Sequence, residues 1–317
     1  MRKRTLSNRD GATSLASACS SAHLASAPSF SLLQSPAMLD GEIRTDREWM
    51  LDEDWQTAEH SSQVLLDKSA DETAKVDAVK KIAALSNKPV NKPVLWKVEV
   101  VAEALTSAVS SSSSDAVQFH AMRALAALAN LPANQGPIME NTTCFDSIVA
   151  AASSSCTSNE LRMWALRCLA YICQMPFNQK PVWDHEKARA AIIAAAQETS
   201  PQNMRESGLM ALCSLTVAAG TCNSTSISEP IWYNEDCRKA IIAAATDKES
   251  TNQEKGIWAL SNLSYTEELF APMLKDASVG TALEVCLKDK SDKEAYVYKT
   301  AMGALHRLKG QDIHAAL

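Results

Sequence analysis

Glycine and aromatic residues are scarce in this chain of 317 residues. Only 9 residues are glycine and 5% are aromatic, whereas glycine usually makes up about 7% of a protein. β-Sandwiches and barrels need turn glycines and strands rich in aromatic or β-branched side chains, so the composition argues against them. The few glycines also leave little material for a phosphate-binding loop. Alanine, which has the highest helix propensity, occurs 50 times, and the sequence therefore predicts an all-α protein.

Catalytic, metal-binding and membrane-spanning signals are also missing. The sequence contains no G-x-G-x-x-G, Walker, G-x-S-x-G or H-E-x-x-H pattern. Its 6 histidines lack ligand spacing, its 9 cysteines form no C-x-x-C pair, and no apolar run approaches the ~20 residues of a membrane span. We therefore expect a protein that is not an enzyme, has no cofactor and no membrane partner, and works in the cytoplasm, the nucleus or both.

One helical pattern recurs six times along the chain: a small residue is followed by apolar residues four and seven positions later. This spacing places all three residues on one face of a helix, and a small first residue lets another helix approach closely. The small residues are Ala78, Ala121, Ala165, Gly208, Gly256 and Ala301. Their intervals of 43, 44, 43, 48 and 45 residues fall in the range of α-solenoid repeats.

A proline follows each of the first five occurrences of the pattern and is predicted to lie in the first turn of a short helix, where its missing N–H is no loss. The five prolines are Pro93, Pro137, Pro181, Pro230 and Pro272. Capping boxes predict where the long helix of the pattern begins, at Ser69…Glu72, Thr157…Glu160, Ser250…Gln253 and Ser291…Glu294. The widest repeat interval predicts an insertion within residues 219–228.

The residues WALSNLS at 258–264 resemble the third helix of an armadillo repeat, whose usual run is A-x-W-A-L-x-N-L. The runs N-x-x-P-I at 134–138 and N-x-x-P-V at 178–182 are similar to the first helix of that repeat. The resemblance extends over residues 72–310. It implies an all-α fold, a right-handed α-solenoid of about five to six armadillo-like three-helix repeats.

The resemblance also implies a binding surface. In armadillo proteins the third helices line a concave groove that holds an extended peptide, and the third and seventh positions of the pattern point toward it. The protein-binding groove would be lined by Lys80, Arg123, Arg167, Tyr171, Met210, Trp258, Asn262 and Arg307.

Lys80, Arg123 and Arg167 are predicted to form a cationic ladder, one residue on each of three stacked helices about 8–10 Å apart. Such a ladder suits an acidic or phosphorylated peptide, because arginine clamps carboxylate and phosphate groups. The alternative is that these are ordinary cations on solvated helix faces. The sequence thus favours a non-enzymatic scaffold or adaptor that holds a partner protein or peptide in its groove.

Two other functions are less favoured. Nuclear-import adaptors of the armadillo family repeat a tryptophan and an asparagine on successive third helices, whereas this pair occurs here once, as Trp258 and Asn262. The tryptophan could equally pack between neighbouring helices. A helical-repeat nucleic-acid binder is disfavoured because, outside the two N-terminal segments, the chain is nearly neutral.

The net charge of the whole chain is −6, and this charge is unevenly distributed along the sequence. Residues 1–39 are basic and rich in serine and alanine, which is typical of a disordered tail or of an organelle transit peptide. Residues 40–71 are acidic and are predicted to cap the repeat domain, because a solenoid must cover its exposed apolar end. Alternatively, residues 40–56 fold back onto the cationic ladder. The repeat domain spans residues 72–310, and residues 311–317 form a C-terminal tail.

Overall fold

The computed structural model describes residues 50–110, 113–197, 199–217, 227–247, 249–288 and 296–310. Within these residues the secondary structure is helical and no strand occurs. None of the helices in this part of the chain is both long and apolar enough to cross a membrane.

The helices follow one another as five successive units of a short, a medium and a long helix, preceded by a medium–long pair. The short helices are α3 (Lys92–Leu95), α6 (Pro132–Glu140), α9 (Pro176–Asp184), α12 (Ser228–Tyr233) and α15 (Phe270–Lys275). The medium helices are α1 (Asp52–Leu66), α4 (Glu99–Ala108), α7 (Thr142–Ala152), α10 (Glu186–Ala196), α13 (Glu235–Ala245) and α16 (Ala277–Lys288). The long helices are α2 (Glu72–Asn87), α5 (Asp115–Ala129), α8 (Asn159–Ile172), α11 (Gln202–Thr216), α14 (Ser250–Leu263) and α17 (Tyr296–Leu308).

The long helices form one layer, in which each packs against the next in chain order. The medium helices form a second layer in the same order, and each long helix also packs against the medium helix of its own unit. The predicted solenoid of three-helix repeats is therefore confirmed. Its core lies between the layers and consists of the apolar residues of the repeated pattern, such as Leu125, Leu128 and Leu169, which are fully buried.

The small residue of the pattern sits where a long helix touches the backbone of its medium helix. A β-carbon added at Gly208 would lie 2.6 Å from the backbone nitrogen of Ala196, and one added at Gly256 would lie 2.3 Å from that of Ala245. The predicted close approach of two helices at this position is confirmed. At these two repeats the approach is so close that only glycine fits.

The predicted helix starts are displaced by one or two residues. Asp71 rather than Ser69 caps α2, since its side chain accepts the N–H of Ala74, and the Ser69 hydroxyl donates to Asp67 instead. Ser158 rather than Thr157 caps α8. In each case a neighbouring residue offers an equally good side-chain acceptor.

The other predicted starts have different outcomes. Ser250 is the first residue of α14, and the N-cap position before it is held by Glu249. Ser291 and most of the predicted insertion, residues 219–226, lie outside the described residues.

Two of the marker prolines are not in a first turn. Pro132 and Pro176 occupy the start of α6 and α9, whereas Pro137 and Pro181 lie inside these helices. Both helices begin directly after the turn that ends the preceding long helix, so they start five residues earlier than the marker proline predicts.

Three medium helices begin with the same kind of cap. The side-chain oxygens of Asn141 and Asn234 accept the N–H groups of Cys144 and Cys237, at 3.1 and 3.0 Å. His185 holds the equivalent place in α10, where its Nδ1 accepts the N–H of Ala188 at 3.2 Å. This hydrogen bond requires an unprotonated Nδ1.

Replacing this histidine tests the shared cap. The substitution His185→Asn is expected to leave the free energy of unfolding within about 0.5 kcal/mol of wild type, because asparagine is a strong N-cap residue, whereas His185→Ala is expected to lower it by about 1 kcal/mol. Urea unfolding followed by circular dichroism measures both. Equal destabilisation by the two substitutions would show that the histidine acts through other contacts.

Candidate functional site

The candidate site is the surface of the long helices that faces away from the medium helices, called here the long-helix face. The pattern predicts that the third and seventh positions of each long helix lie outside the core, and the third positions from Lys80 to Trp258 are indeed at least partly exposed. On α2 the third position is Lys80, whose side chain is 52% exposed and lies 4.0 Å from the carboxylate of Asp77. The equivalent Arg123 on α5 and Arg167 on α8 are partly exposed.

Both arginines lie over one indole ring. The guanidinium carbon of Arg123 is 5.6 Å from the ring centroid of Trp164, and that of Arg167 is 5.5 Å from the same centroid. Arg123 also lies 5.6 Å from the ring of Phe119. We call these four residues, Phe119, Arg123, Trp164 and Arg167, the Arg–Trp cluster. Each cation–π contact contributes about 0.5–1 kcal/mol at an exposed site.

The cluster leaves its cations available for a ligand. Among the described residues, neither Arg123 nor Arg167 forms a salt bridge. A guanidinium that packs on an aromatic ring still presents its N–H groups at its edge, where they can bind a carboxylate or phosphate. The arrangement can therefore hold two anionic groups side by side.

His120 reports on the charge of this region. Its ring packs edge-on against Phe119 at 5.0 Å between centroids. Burial lowers the pKa of His120, and the positive charges of Arg123 and Lys80 lower it further. The imidazole of His120 therefore adds no positive charge to that of Arg123 and Lys80 at pH 7.

Three further predicted groove residues form an apolar region. Tyr171 on α8, Met210 on α11 and Trp258 on α14 are half-buried and pack against the core with part of each side chain exposed. The ring of Trp258 meets that of Tyr296 on α17 edge to face, with 6.5 Å between centroids.

Asn262, the next predicted groove residue, makes its contacts inside the solenoid. It is buried, and its amide nitrogen donates to the hydroxyl of Thr216 at 3.1 Å and to the carbonyl of Cys213 at 3.4 Å. These bonds join α14 to α11. The amide donors of Asn262 are thus used within the fold.

Arg307 is also engaged within the solenoid. Its guanidinium donates to the hydroxyls of Ser261 and Ser264, at 2.6 and 2.9 Å, and its carbon lies 3.9 Å from the ring centroid of Tyr265. Burial lowers the pKa of Arg307. These contacts join α17 to α14, and they occupy the donors that a ligand would need.

Trp164, Phe119 and His120 were missed by the sequence reasoning, although part of their arrangement was visible. Phe119 and Arg123 are four residues apart, and Trp164 and Arg167 are three apart, so each pair shares a helix face. The contact between Arg123 and Trp164 joins two helices and depends on how α5 sits against α8. No spacing within one helix predicts it.

The described residues were also compared with the requirements of a metal site and of a cysteine nucleophile. No group of three or more histidine, cysteine or acidic side chains in them could hold a metal ion. Burial raises the pKa of Cys144 and of Cys237 to about 12, so these thiols are not nucleophiles at neutral pH.

Comparison with known proteins agrees with the repeat architecture. A scan of protein-family models and a search of curated proteins gave no match. Solved structures do match: a set of computationally designed armadillo repeat proteins for modular peptide recognition has 17% identity and a TM-score of 0.64, over 79% of this chain and 99% of that chain. A designed armadillo repeat protein in complex with the peptide (KR)4 has 18% identity and a TM-score of 0.64, with the same coverage.

A natural protein shares the same architecture. UNC-45 from Drosophila melanogaster is 14% identical, with a TM-score of 0.62 over 80% of this chain and 31% of that chain. The protein is therefore an α-solenoid. More particularly, it has an armadillo-like repeat fold.

Proposed function

We propose that the protein is a non-enzymatic scaffold or adaptor that binds an extended acidic or phosphorylated peptide along its long-helix face. The observation that carries this proposal is the Arg–Trp cluster. Two guanidinium groups on neighbouring helices are positioned by one tryptophan and form no salt bridge in the described residues. Because the two guanidinium groups form no salt bridge in the described residues, an anion can bind them without displacing a carboxylate.

The spacing of the two arginines suits a peptide in an extended conformation. Because each guanidinium carbon lies within 5.6 Å of the same ring centroid, the two carbons are at most twice that distance apart. An extended chain advances about 3.3 Å per residue. Because side chains of an extended chain alternate between two faces, anionic residues two positions apart can reach Arg123 and Arg167 together. Lys80 on α2 extends the surface by one more helix.

The charge of the ligand proposed here is opposite to that of a peptide bound in one of the similar solved structures. The peptide (KR)4 in the complex with the designed armadillo repeat protein is cationic. Arg123 and Arg167 would repel such a peptide. We therefore expect the opposite ligand charge here, and a basic nuclear-import signal is not the ligand we propose.

The experiment that tests this function compares labelled peptides by fluorescence anisotropy with the full chain. One peptide carries two phosphoserines two positions apart, a second carries glutamates there, a third carries serines, and a fourth is (KR)4. We expect the first two to bind at least tenfold more tightly than the serine peptide, and (KR)4 not to bind. Preference for (KR)4, or equal affinity for all four, would contradict the proposal. Strong salt-dependent binding of a DNA or RNA fragment by the Arg–Trp cluster would favour a nucleic-acid binder.

We propose further that the N-terminal residues cap the solenoid rather than cover the Arg–Trp cluster. Helix α1 packs against α2 and α4, and the buried Met50 precedes it. The carboxylate of Asp54 accepts hydrogen bonds from Lys88 at 2.8 Å and from Asn91 at 3.0 Å. The acidic residues 40–49 lie outside the described residues.

Deleting residues 40–56 separates the two roles. As a cap, the segment contributes buried contacts, so we expect the deletion to lower the thermal unfolding midpoint and to promote aggregation. Deletion of residues 2–39, which removes none of the described residues, is the control. Unchanged stability together with tighter binding of the phosphoserine peptide would instead show that residues 40–56 compete for the long-helix face.

A further inference from the structure

The two halves of the long-helix face differ in character. Helices α2, α5 and α8 carry the cations and the Arg–Trp cluster. Beyond them, Met210 on α11 and Trp258 on α14 occupy the same third position of the pattern, with Tyr296 of α17 against the tryptophan ring at 6.5 Å. All three side chains are half-buried. We call Met210, Trp258 and Tyr296 the apolar half.

Two cations near the apolar half are already engaged within the fold, and the carboxylate of Glu254 on α14 lies near Tyr296. The Nζ of Lys255, on α14, lies 3.3 Å from the carboxylate of Glu206 on α11 and also donates to the carbonyl of Thr251. Arg307 is occupied by the serine hydroxyls and by Tyr265. This part of the surface therefore offers a peptide partly exposed apolar side chains, whereas the first part offers Arg123 and Arg167, which form no salt bridge in the described residues.

We propose that the partner peptide is bipartite, with a pair of anionic residues bound at the Arg–Trp cluster and one large apolar side chain bound at the apolar half. This inference rests on the proposed function and specifies its ligand. Charge complementarity fixes the position of the anionic part, and the layer of long helices continues without a break from α8 to α14. An extended peptide that leaves the cluster along this layer passes Met210 on α11 and then reaches Trp258 on α14.

The helix spacing sets the distance between the two parts. From Arg167 on α8 to Trp258 on α14 there are two helix-to-helix steps, each of about 8–10 Å. At about 3.3 Å per residue, an extended peptide covers this distance in five or six residues. Since side chains of an extended chain alternate between two faces, the apolar residue should lie six positions from the nearer anionic residue, in one of the two chain directions.

Trp258 and Met210 then determine specificity. Burying a large apolar side chain against them removes it from water, which is expected to tighten binding by about tenfold or more. The anionic pair contributes the same affinity with or without this side chain, because the two contacts lie on different helices.

The test uses three phosphoserine peptides with serine–glycine spacers and the full-length protein. The first lacks an apolar residue, the second has phenylalanine six positions from the nearer phosphoserine, and the third has it two positions away. Both chain directions of the second peptide are made. We expect one direction of the second peptide to bind at least tenfold more tightly than the first and third peptides.

Variants show whether the gain comes from the apolar half. Trp258→Ala and Met210→Ser should remove most of the gain while leaving the affinity of the first peptide unchanged, which also shows that the variant is folded. Tyr233→Ser, an exposed position on α12, is the control and should keep the gain.

If the first peptide binds but phenylalanine adds nothing in either direction, or if the gain survives both variants, the bipartite ligand is wrong and the proposed function stands. If the first peptide does not bind, the proposed function itself fails.

Discussion

The double variant Arg123→Glu/Arg167→Glu is expected to lose at least about 100-fold in affinity for the phosphoserine peptide. A charge-assisted hydrogen bond contributes about 1.5–3 kcal/mol, and 100-fold corresponds to about 2.7 kcal/mol. Losing two such contacts and adding two repulsive charges reaches this value. The measurement is anisotropy of the labelled peptide at fixed ionic strength, because salt screens part of the interaction.

The variant should remain folded, since neither arginine is buried or forms a salt bridge in the described residues. The stacking on Trp164 is lost, at a cost of about 0.5–1 kcal/mol per contact. A matched control is Lys187→Glu/Lys275→Glu, which makes the same change in net charge on α10 and α15, where both lysines are exposed and form no salt bridge in the described residues. If the control loses as much affinity, the effect is general electrostatics rather than a site on the long helices.

The substitution Gly256→Ala is expected to destabilise the protein by about 1–2 kcal/mol. Its β-carbon would lie 2.3 Å from the backbone nitrogen of Ala245 and 2.7 Å from the carbonyl carbon of Ala244. Backbone of a packed helix cannot swing away as a side chain does, so α13 must shift. Overpacking of this kind costs about 1–3 kcal/mol and sometimes more, which exceeds the gain of about 1 kcal/mol from replacing a helical glycine by alanine.

Gly280→Ala provides the opposite expectation. Gly280 lies inside α16, and a β-carbon there would have no atom within 4 Å. This substitution should therefore stabilise the protein by about 0.5–1 kcal/mol. Urea unfolding of both variants compares them directly. Wild-type stability of Gly256→Ala would contradict the close helix contact, and with it the packing that defines each repeat.

The buried face of each helix could be predicted from the sequence, because it depends on a pattern of small and apolar residues within that helix. The positions of Ala121, Leu125 and Leu128 fix which face of α5 is buried, whatever the neighbouring helix is. Helix ends were less predictable, since Thr157 and Ser158 are both good caps and only the local backbone selects the second.

The exposure of the candidate surface could be predicted only in part. Position in the pattern predicts which residues lie on the outer face, and Arg123 and Arg167 are partly exposed. It did not indicate that Asn262 would turn to Thr216 on the preceding helix or that Arg307 would bind Ser261. Such contacts depend on side-chain reach between neighbouring helices, which no repeat spacing encodes.

The central claim is that Arg123 and Arg167 bind an anionic peptide. The most direct test reverses the charge of both residues and compares the binding of an anionic and a cationic peptide. Wild-type protein and the Arg123→Glu/Arg167→Glu variant are each titrated with the phosphoserine peptide and with (KR)4. If the two arginines bind the peptide, the wild type binds only the phosphoserine peptide, and the variant loses it and gains affinity for (KR)4. Unchanged preference of the variant for the phosphoserine peptide would contradict a binding site at the Arg–Trp cluster.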